Sequence, residues 1–316
     1  ASVVLDNSNN TQWTGEISIG TPARNFTAMF DTGSSDLVIP TGAGCSNCYQ
    51  SVSYDPKSSS TSHALGKSFS LNYGSGAVSG MQYEDSVSVA DVTATGQTLL
   101  AANHTAANFF KNMNALVGLG FASTTSAGVK SLVQNMIDQK TLSKAVFGFK
   151  LADGGSELTF GGTNGNLYKG SPTYTSVQSG TRWQIPFEKM TLWDRTLQPN
   201  VTTAVIDSGT TLILADEASV EAFYSTVYGS QKMSNGMWSV NCYNIPQVNV
   251  TFSGKQISIP SDVFTLGQIA AQSDQCLGGV QPASGLTFWV MGDILMRNAY
   301  TIFDAAQRRI GFADLK

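Results

Sequence analysis

The chain has 316 residues, of which 41% are hydrophobic and only 13% are charged. That length suggests about two domains, and the hydrophobic content is ample for sizeable cores. A net charge of −4 without any basic run argues against nucleic acid or an anionic membrane as a partner. With only 18 Lys and Arg and 2 His, the chain gains little self-repulsion when its carboxylates are protonated, so the composition suits an acidic medium.

Short alternating patterns dominate the chain and predict many short β-strands. Apolar and polar residues alternate over 13–19 and over 68–73, as in half-buried strands. Two later stretches, 129–137 and 220–227, instead repeat apolar residues at helical spacing, the second of them after Asp216 as an N-cap. We expect both apolar stripes to pack in a core. No apolar run approaches the roughly 18–20 residues needed to span a bilayer.

A hydrophobic-Asp-Ser/Thr-Gly-Ser/Thr motif occurs once in each half of the chain. The first copy reads MFDTGSS around Asp31, and the second reads VIDSGTT around Asp207. Each copy delivers a carboxylate from an apolar strand onto a tight glycine turn flanked by hydroxyls. If the halves pack face to face, the two acids meet and share a proton, since both cannot ionise comfortably at one point. We therefore predict a catalytic pair, with ordinary turn aspartates as the alternative.

The duplication extends beyond these motifs. ALVG, ending at Gly118, and WVMG, ending at Gly292, follow their aspartates at nearly the same distance along the chain. A glycine in such a strand lets another backbone segment approach closely. A boundary in the Gly/Ser/Pro/Thr stretch 170–173 would divide the chain into an N-terminal lobe, 1–170, and a C-terminal lobe, 171–316.

The four cysteines fit two disulfides, one between Cys45 and Cys48 and one between Cys242 and Cys276. The CSNC stretch could instead be a redox motif or half of a zinc site. A redox motif normally opens a helix in a βαβ setting, which the sequence lacks. A zinc site would need a second ligand pair, and the chain has only two His. Structural disulfides are therefore favoured.

Five N-x-Ser/Thr sequons are candidate N-glycosylation sites. Each is a weak signal, because a chain rich in Ser and Thr produces some sequons by chance. They begin at Asn9, Asn25, Asn103, Asn200 and Asn249.

Together these features resemble the pepsin-like aspartic proteases of the eukaryotic secreted or vacuolar type, fungal ones especially, over nearly the whole chain. The ISIGTP stretch resembles that family's opening strand and turn, YGSG at 73–76 its flap tip, and 302–313 its closing strands. The resemblance implies an all-β, bilobal acid protease fold with two pseudo-twofold-related β-barrel-like lobes and a few short helices. It also implies a substrate cleft between the lobes and a proenzyme that is cut to this form, with Ala1 as a processed terminus.

The resemblance assigns supporting roles to the other motif residues. Residues matching Ser34 and Thr210 hydrogen-bond the outer carboxylate oxygens and orient them. Residues matching Thr32 and Ser208 brace the two turns against each other across the lobes. The glycines of the two turns, Gly33 and Gly209, permit the turns and expose backbone N–H groups.

Tyr73, Gly74 and Ser75 match a flap hairpin that closes over the substrate and excludes water. Val38 stands where many relatives carry a Trp that hydrogen-bonds this Tyr, so Tyr73 must bond elsewhere or move more freely. Ser75 stands where some fungal relatives place an Asp that accepts a substrate Lys. We therefore expect large apolar side chains at the cleaved bond, as the aromatic stretch 109–113 also suggests.

The predicted function is an acid endopeptidase in which water activated between Asp31 and Asp207 attacks the peptide carbonyl. No cofactor or metal is expected. The substrates would be peptides or unfolded proteins, and statine-type peptides would inhibit the enzyme. We expect a monomer that is secreted, with the vacuole as second choice. The alternatives are a binding protein that kept the lobes but lost the chemistry, and a glycosidase that uses two carboxylates.

Overall fold

The structure is a computed structural model that describes residues 1–42, 45–48, 52–74, 76–106, 109–121, 123, 125, 128–178 and 180–316. The chain divides into two compact units. Unit 1 contains residues 1–148, 152–163 and 180–182, and unit 2 contains residues 149–151, 164–179 and 183–316. The chain passes between the units more than once, so a single lobe boundary at residue 170 stays a prediction.

Strands dominate both units, which confirms the all-β prediction. The strands of the first part are β1 Ser2–Asn7, β2 Trp13–Ile19, β3 Arg24–Asp31, β4 Leu37–Pro40, β5 His63–Tyr73, β6 Gly76–Val89, β7 Val92–Thr105, β8 Ala115–Gly118, β9 Val146–Lys150 and β10 Ser156–Phe160. Those that follow are β11 Tyr168–Ser176, β12 Gln184–Pro186, β13 Lys189–Leu192, β14 Arg195–Leu197, β15 Thr203–Ile206, β16 Ile213–Ala215, β17 Gln231–Lys232, β18 Trp238–Asn241, β19 Val248–Phe252, β20 Lys255–Ile259, β21 Gln275–Leu277, β22 Val280–Pro282, β23 Trp289–Met291, β24 Tyr300–Asp304 and β25 Arg309–Leu315.

In unit 1 the strand that carries the first aspartate lies inside the sheet. Within unit 1 the strands of this sheet lie in the order β10-β1-β2-β3-β8-β4-β7-β6-β5. β3 is antiparallel to β2 and parallel to β8, in a register that pairs Asp31 with Gly118. β4 begins after the turn and returns antiparallel to β8, pairing Leu37 with Val117. The turn of the first motif therefore lies where three buried strands meet.

Unit 2 repeats this arrangement around the second aspartate. β15, which ends just before Asp207, is parallel to β23 and pairs Ile206 with Met291. β16 returns antiparallel to β23, pairing Ile213 with the same methionine. The duplication predicted from the sequence is therefore present in the strand pairing, within each unit considered by itself.

Four short α-helices occur in the described residues, α1 Leu132–Asp138, α2 Glu217–Tyr224, α3 Ser261–Phe264 and α4 Asp293–Met296, together with a 3-10 helix over Pro56–Ser58. α2 has the predicted start, because the Asp216 side chain accepts a hydrogen bond from the Ser219 N–H at 3.0 Å. It ends at Tyr224, so Val227 lies beyond the helix although it fits the apolar spacing. The Ser219 side chain and backbone bonds lower the pKa of that carboxyl, an effect that favours an N-cap.

The first helix is shorter than predicted. Ser131 is its N-cap, so Val129 lies ahead of the helix although it fits the apolar spacing. A capping side chain satisfies the first free N–H groups of a helix, and this local bond sets the start more strongly than periodicity does. None of the helices in the described part of the chain is long and apolar enough to cross a membrane.

Both predicted disulfides are formed. Cys45 is bonded to Cys48. Cys242 is bonded to Cys276, with 5.1 Å between the Cα atoms, and joins segments 34 residues apart in unit 2. Persistent disulfides are typical of proteins that fold in an oxidising compartment.

Candidate active site

The carboxylate of Asp31 is held by its own turn. Its side chain is only 6% exposed at the end of β3. The Gly33 N–H donates to Oδ1 at 2.8 Å, and the Ser34 hydroxyl donates to Oδ2. Since each oxygen receives a donor from a different direction, the plane of the carboxylate is fixed.

Asp207 has the same pair of donors at the corresponding positions. The Gly209 N–H donates to Oδ1 at 2.8 Å, and the Thr210 hydroxyl donates to Oδ2 at 2.7 Å. The sequence predicted this role for the two hydroxyls from the family resemblance. Each aspartate is thus oriented by two bonds that its own unit supplies.

Each turn packs directly against a glycine at the end of the neighbouring strand, Gly118 as the last residue of β8 and Gly292 as the residue after β23. A Cβ atom added to Gly118 would lie 2.5 Å from backbone atoms of Ser35. A Cβ atom added to Gly292 would lie 1.9 Å from the carbonyl oxygen of Thr210. Real Cβ atoms do not approach so closely, so only glycine lets the turn backbone lie against the strand.

The remaining hydroxyls of the two turns are buried. Thr32 is 2% exposed and Ser208 is 7% exposed, although both are polar. Burial of a hydroxyl is tolerated when the group is hydrogen-bonded. The bracing of the two turns against each other stays a prediction.

The predicted flap is the hairpin of β5 and β6, in which Tyr73 pairs with Gly76. Gly74 lies in its turn, and Ser75 falls outside the described residues. The Tyr73 ring lies 5.2 Å from the Phe109 ring, centroid to centroid. Tyr73, next to the hairpin turn, is thus in aromatic contact with Phe109.

The Tyr73 hydroxyl is buried and has no hydrogen-bond partner among the described residues. Burial raises the pKa of this phenol, and the charges of Asp36 and Asp31 raise it further. A raised pKa favours the protonated phenol, which can act as a hydrogen-bond donor.

A buried apolar cluster lies beneath Tyr73. Val38 belongs to it and is fully buried. Its side chain has no polar atom, so it cannot form the hydrogen bond to the Tyr73 phenol that a Trp at this position would form. The aromatic stretch singled out in the sequence is buried in the same cluster, which contains Phe109, Phe110 and Met113. The structure thus brings Tyr73 and these residues together within unit 1.

Comparison with known proteins places this architecture in a family. The family profile described as eukaryotic aspartyl protease matches residues 12–315. The chain belongs to the eukaryotic aspartyl protease family. It is an aspartic-type endopeptidase, and members of this family act on peptide substrates.

Named relatives support the assignment over almost the full chain. The chain is 34% identical to an aspartic protease of Phaffia rhodozyma over 99% of its own length and 78% of that protein. It is 31% identical to a probable vacuolar protease A of Trichophyton verrucosum, covering 100% of the chain and 81% of the relative. It is 29% identical to pepsin A of Sus scrofa over 98% of the chain and 83% of that protein.

Sequence reasoning missed one acidic residue of this aspartyl protease site. Asp36 lies between the first motif and β4, is 4% exposed, and acts electrostatically on the Tyr73 phenol. Its backbone carbonyl accepts a hydrogen bond from the Gly118 N–H at 2.9 Å. The one sequence feature that could have identified Asp36 is its position, as a charged residue between the first Asp motif and an apolar strand.

Removing the hydroxyl of Ser34 should slow the protease without unfolding it. S34A deletes the Ser34 donor to the Asp31 carboxylate, a charge-assisted bond that contributes roughly 1.5–3 kcal/mol. We expect kcat to fall about 10- to 100-fold with KM little changed, measured by initial rates on a fluorogenic peptide. The matched control is S35A, because the Ser35 hydroxyl donates to the Phe121 carbonyl at 2.9 Å instead of to the carboxylate. S35A should lower the melting temperature and leave kcat close to that of the wild type. Equal losses of kcat in both variants would contradict the assigned role.

The structure separates the five sequons into two groups. Asn249 is 9% exposed in the central strand β19, and its amide nitrogen donates to the Thr191 hydroxyl at 3.0 Å. Its amide oxygen accepts from Gln256 at 3.2 Å. Asn249 therefore does not fit the expectation of a glycosylation site in the folded protein. The four exposed candidates are Asn9, Asn25, Asn103 and Asn200.

We expect a glycan to be absent from Asn249 when the protein is expressed in a eukaryotic secretory host. Peptide mass spectrometry after enzymatic deglycosylation in heavy-oxygen water would report the occupancy of each sequon. N249Q should also lower the melting temperature, because it disturbs both hydrogen bonds of a buried amide. N200Q is the exposed control and should leave the melting temperature of the unglycosylated protein unchanged. Substantial occupancy at Asn249 would show that this strand is accessible during folding.

Proposed function

We propose that Asp31 and Asp207 are the catalytic pair of this acid endopeptidase, with one proton shared between them as in aspartic proteases generally. The observation that carries the proposal is that the two carboxylates accept the same two kinds of hydrogen bond, each within its own unit. Each accepts a glycine N–H on one oxygen and a hydroxyl on the other, within its own unit. Two turns of such similar construction suit two residues that exchange roles during one reaction.

The chemistry follows from that shared proton. The ionised carboxylate takes a proton from a bound water as the water oxygen attacks the carbonyl carbon of the peptide. The protonated carboxyl donates its proton to the carbonyl oxygen, which gives a neutral tetrahedral diol. The roles then reverse. One carboxyl donates a proton to the leaving amine, the ionised carboxylate takes a proton from a diol hydroxyl, and the C–N bond breaks as the new carboxyl product forms. No covalent enzyme intermediate forms.

The surrounding residues would orient and enclose the reacting groups. Ser34 and Thr210 hold the carboxylates, and Thr32 and Ser208 brace the two turns. The flap residues Tyr73, Gly74 and Ser75 would close over an extended peptide and exclude water. The lobes 1–170 and 171–316 would each supply one aspartate to a common cleft.

The substrates would be peptides or unfolded proteins with large apolar side chains at the cleaved bond. This preference is supported by the apolar cluster beneath the flap residue Tyr73. We propose a monomer that is made as a proenzyme, binds statine-type peptides and is secreted, with the vacuole as second choice. The disulfides, the exposed sequons and the low content of basic residues support passage through an oxidising compartment to an acidic medium.

A cleavage profile tests the proposed function. The purified protein is incubated with a mixed peptide library at several pH values, with and without a statine-type peptide, and the products are read by mass spectrometry. We expect cleavage at acidic pH between large apolar residues and its suppression by the inhibitor. Tight binding of the inhibitor without any cleavage would show instead a binding protein that kept the fold and lost the chemistry.

A further inference from the structure

Unit 2 contains a cavity of about 60 Å³ that is lined by neither the aspartate motifs nor the flap residues. Three of its lining side chains are almost completely buried and apolar, namely Met190, Phe223 and Trp289. Ala218 and Ala222 of α2 also line it, and these two small side chains, one helical turn apart, leave space that larger ones would fill. The cavity has room for several water molecules, but its mostly apolar lining offers few of the polar partners that an ordered water needs.

One of the five sequons begins at this cavity. Asn200, the first residue of the sequon that ends at Thr202, is exposed and is itself among the lining residues. The backbone of the sequon is held in place beside the cavity. The Trp289 indole N–H donates to the Val201 carbonyl at 3.1 Å. The Phe187 N–H donates to the Thr202 carbonyl at 2.9 Å. A group attached to Asn200 would therefore start at the rim of the cavity.

The group that a sequon receives has the chemistry to occupy such a cavity. N-glycosylation in a secretory host transfers an oligosaccharide from a lipid diphosphate to the asparagine amide. A bond forms between C1 of the first sugar and the amide nitrogen, the amide loses one proton, and the bond from C1 to the lipid diphosphate breaks. The first sugar is N-acetylglucosamine, which carries an acetamide methyl group close to the linkage. Because the sugar is tethered at the rim, its effective concentration at the cavity is high.

We propose that the first N-acetylglucosamine of a glycan on Asn200 packs into this cavity and stabilises the folded protein. Its acetamide methyl group contacts the buried apolar side chains, because removing apolar surface from water is favourable. The amide of Gln198, which also lines the cavity, supplies a hydrogen-bonding group for the polar part of the acetamide. The cavity is thus an intramolecular sugar-binding site, and the inference is independent of the proposed catalytic pair.

The melting temperature of protein secreted from a eukaryotic host tests this proposal, with mass spectrometry reporting the occupancy of Asn200. N200Q and T202A each remove the glycan by a different substitution, and each should lower the melting temperature by about 2–4 °C. Both should leave it unchanged in protein produced without glycosylation. N25Q is the matched control, because it removes an exposed sequon of β3 that does not line the cavity, and it should leave the melting temperature unchanged. Trimming the wild type with an endoglycosidase that leaves one N-acetylglucosamine should preserve its melting temperature.

A variant of the cavity separates packing of the sugar from a general effect of glycosylation. A222L places a larger side chain at the cavity on an exposed helix position, and Leu is a good helix former. In this background N200Q should no longer lower the melting temperature, because the two changes remove the same contact.

Four results would overturn the inference: an unglycosylated Asn200 in the secreted protein, equal melting temperatures of glycosylated N200Q and N25Q, a loss of stability on trimming to one sugar, or an undiminished effect of N200Q in A222L. None of these measurements uses catalysis, so failure of the proposed function would leave them unaffected.

Discussion

Replacing Asp31 by Asn should abolish peptide cleavage and leave the fold intact. The amide has nearly the same size, and its oxygen can still accept the Gly33 N–H that now bonds Oδ1. The Ser34 hydroxyl can rotate to accept from the amide nitrogen instead of donating to an oxygen. A carboxamide neither takes nor gives up a proton at acidic or neutral pH, so general acid–base catalysis worth about 10²- to 10⁴-fold is lost. D207N should behave in the same way.

Initial rates on an unfolded protein at about pH 4, together with thermal melts, measure this effect. The double variant should be no slower than either single variant, because residues that act as a unit give strongly non-additive losses. Asp85 supplies the control. It is fully buried and accepts from the Tyr54 and Thr61 hydroxyls at 2.9 and 2.6 Å, neither of which belongs to an Asp motif. D85N should lower the melting temperature yet keep its activity where it is folded, and full activity of D31N would remove Asp31 from the mechanism.

Gly292→Ala should destabilise the protein by at least about 3 kcal/mol, the upper end of the usual range for overpacking. Its Cβ atom would lie 1.9 Å from the Thr210 carbonyl oxygen and 2.6 Å from that of Leu212. Both contacts are with backbone, which cannot rotate away as a side chain could. Because the Thr210 hydroxyl orients Asp207, the shift should also lower the activity of whatever protein remains folded.

Urea unfolding followed by tryptophan fluorescence measures the change in stability. G118A should show a similar loss, because its Cβ atom would lie 2.5 Å from the Ser35 backbone. G154A is the matched control, since nothing lies within 4 Å of the Cβ atom it would add. If G292A were as stable as G154A, the result would contradict the close packing of the Asp207 turn against Gly292.

Several features of this protease are readable from local sequence. The apolar residues before each aspartate predict strands, and the glycine and hydroxyls after it predict the turns that the structure contains. The helical spacing after Asp216 correctly predicts α2, because a side-chain cap marks its start. The same spacing around residue 129 overestimates α1, since Ser131 provides a cap two residues later. Local bonds are encoded by neighbours in the chain, so a sequence can reveal them.

The repeated Asp motif and the order of the elements around it thus follow from the sequence alone, as does the pairing of the cysteines. Three other features depend on contacts between distant segments, and only the tertiary structure decided them. The backbone that lies against Gly292 comes from a turn more than 80 residues earlier. Asn249 is buried because β19 has a strand on either side. Among the residues that the structure describes, the Tyr73 hydroxyl has no hydrogen-bond partner, because the flap strand packs onto the apolar cluster that contains Val38. The local sequence around Tyr73 does not encode which distant side chains it contacts.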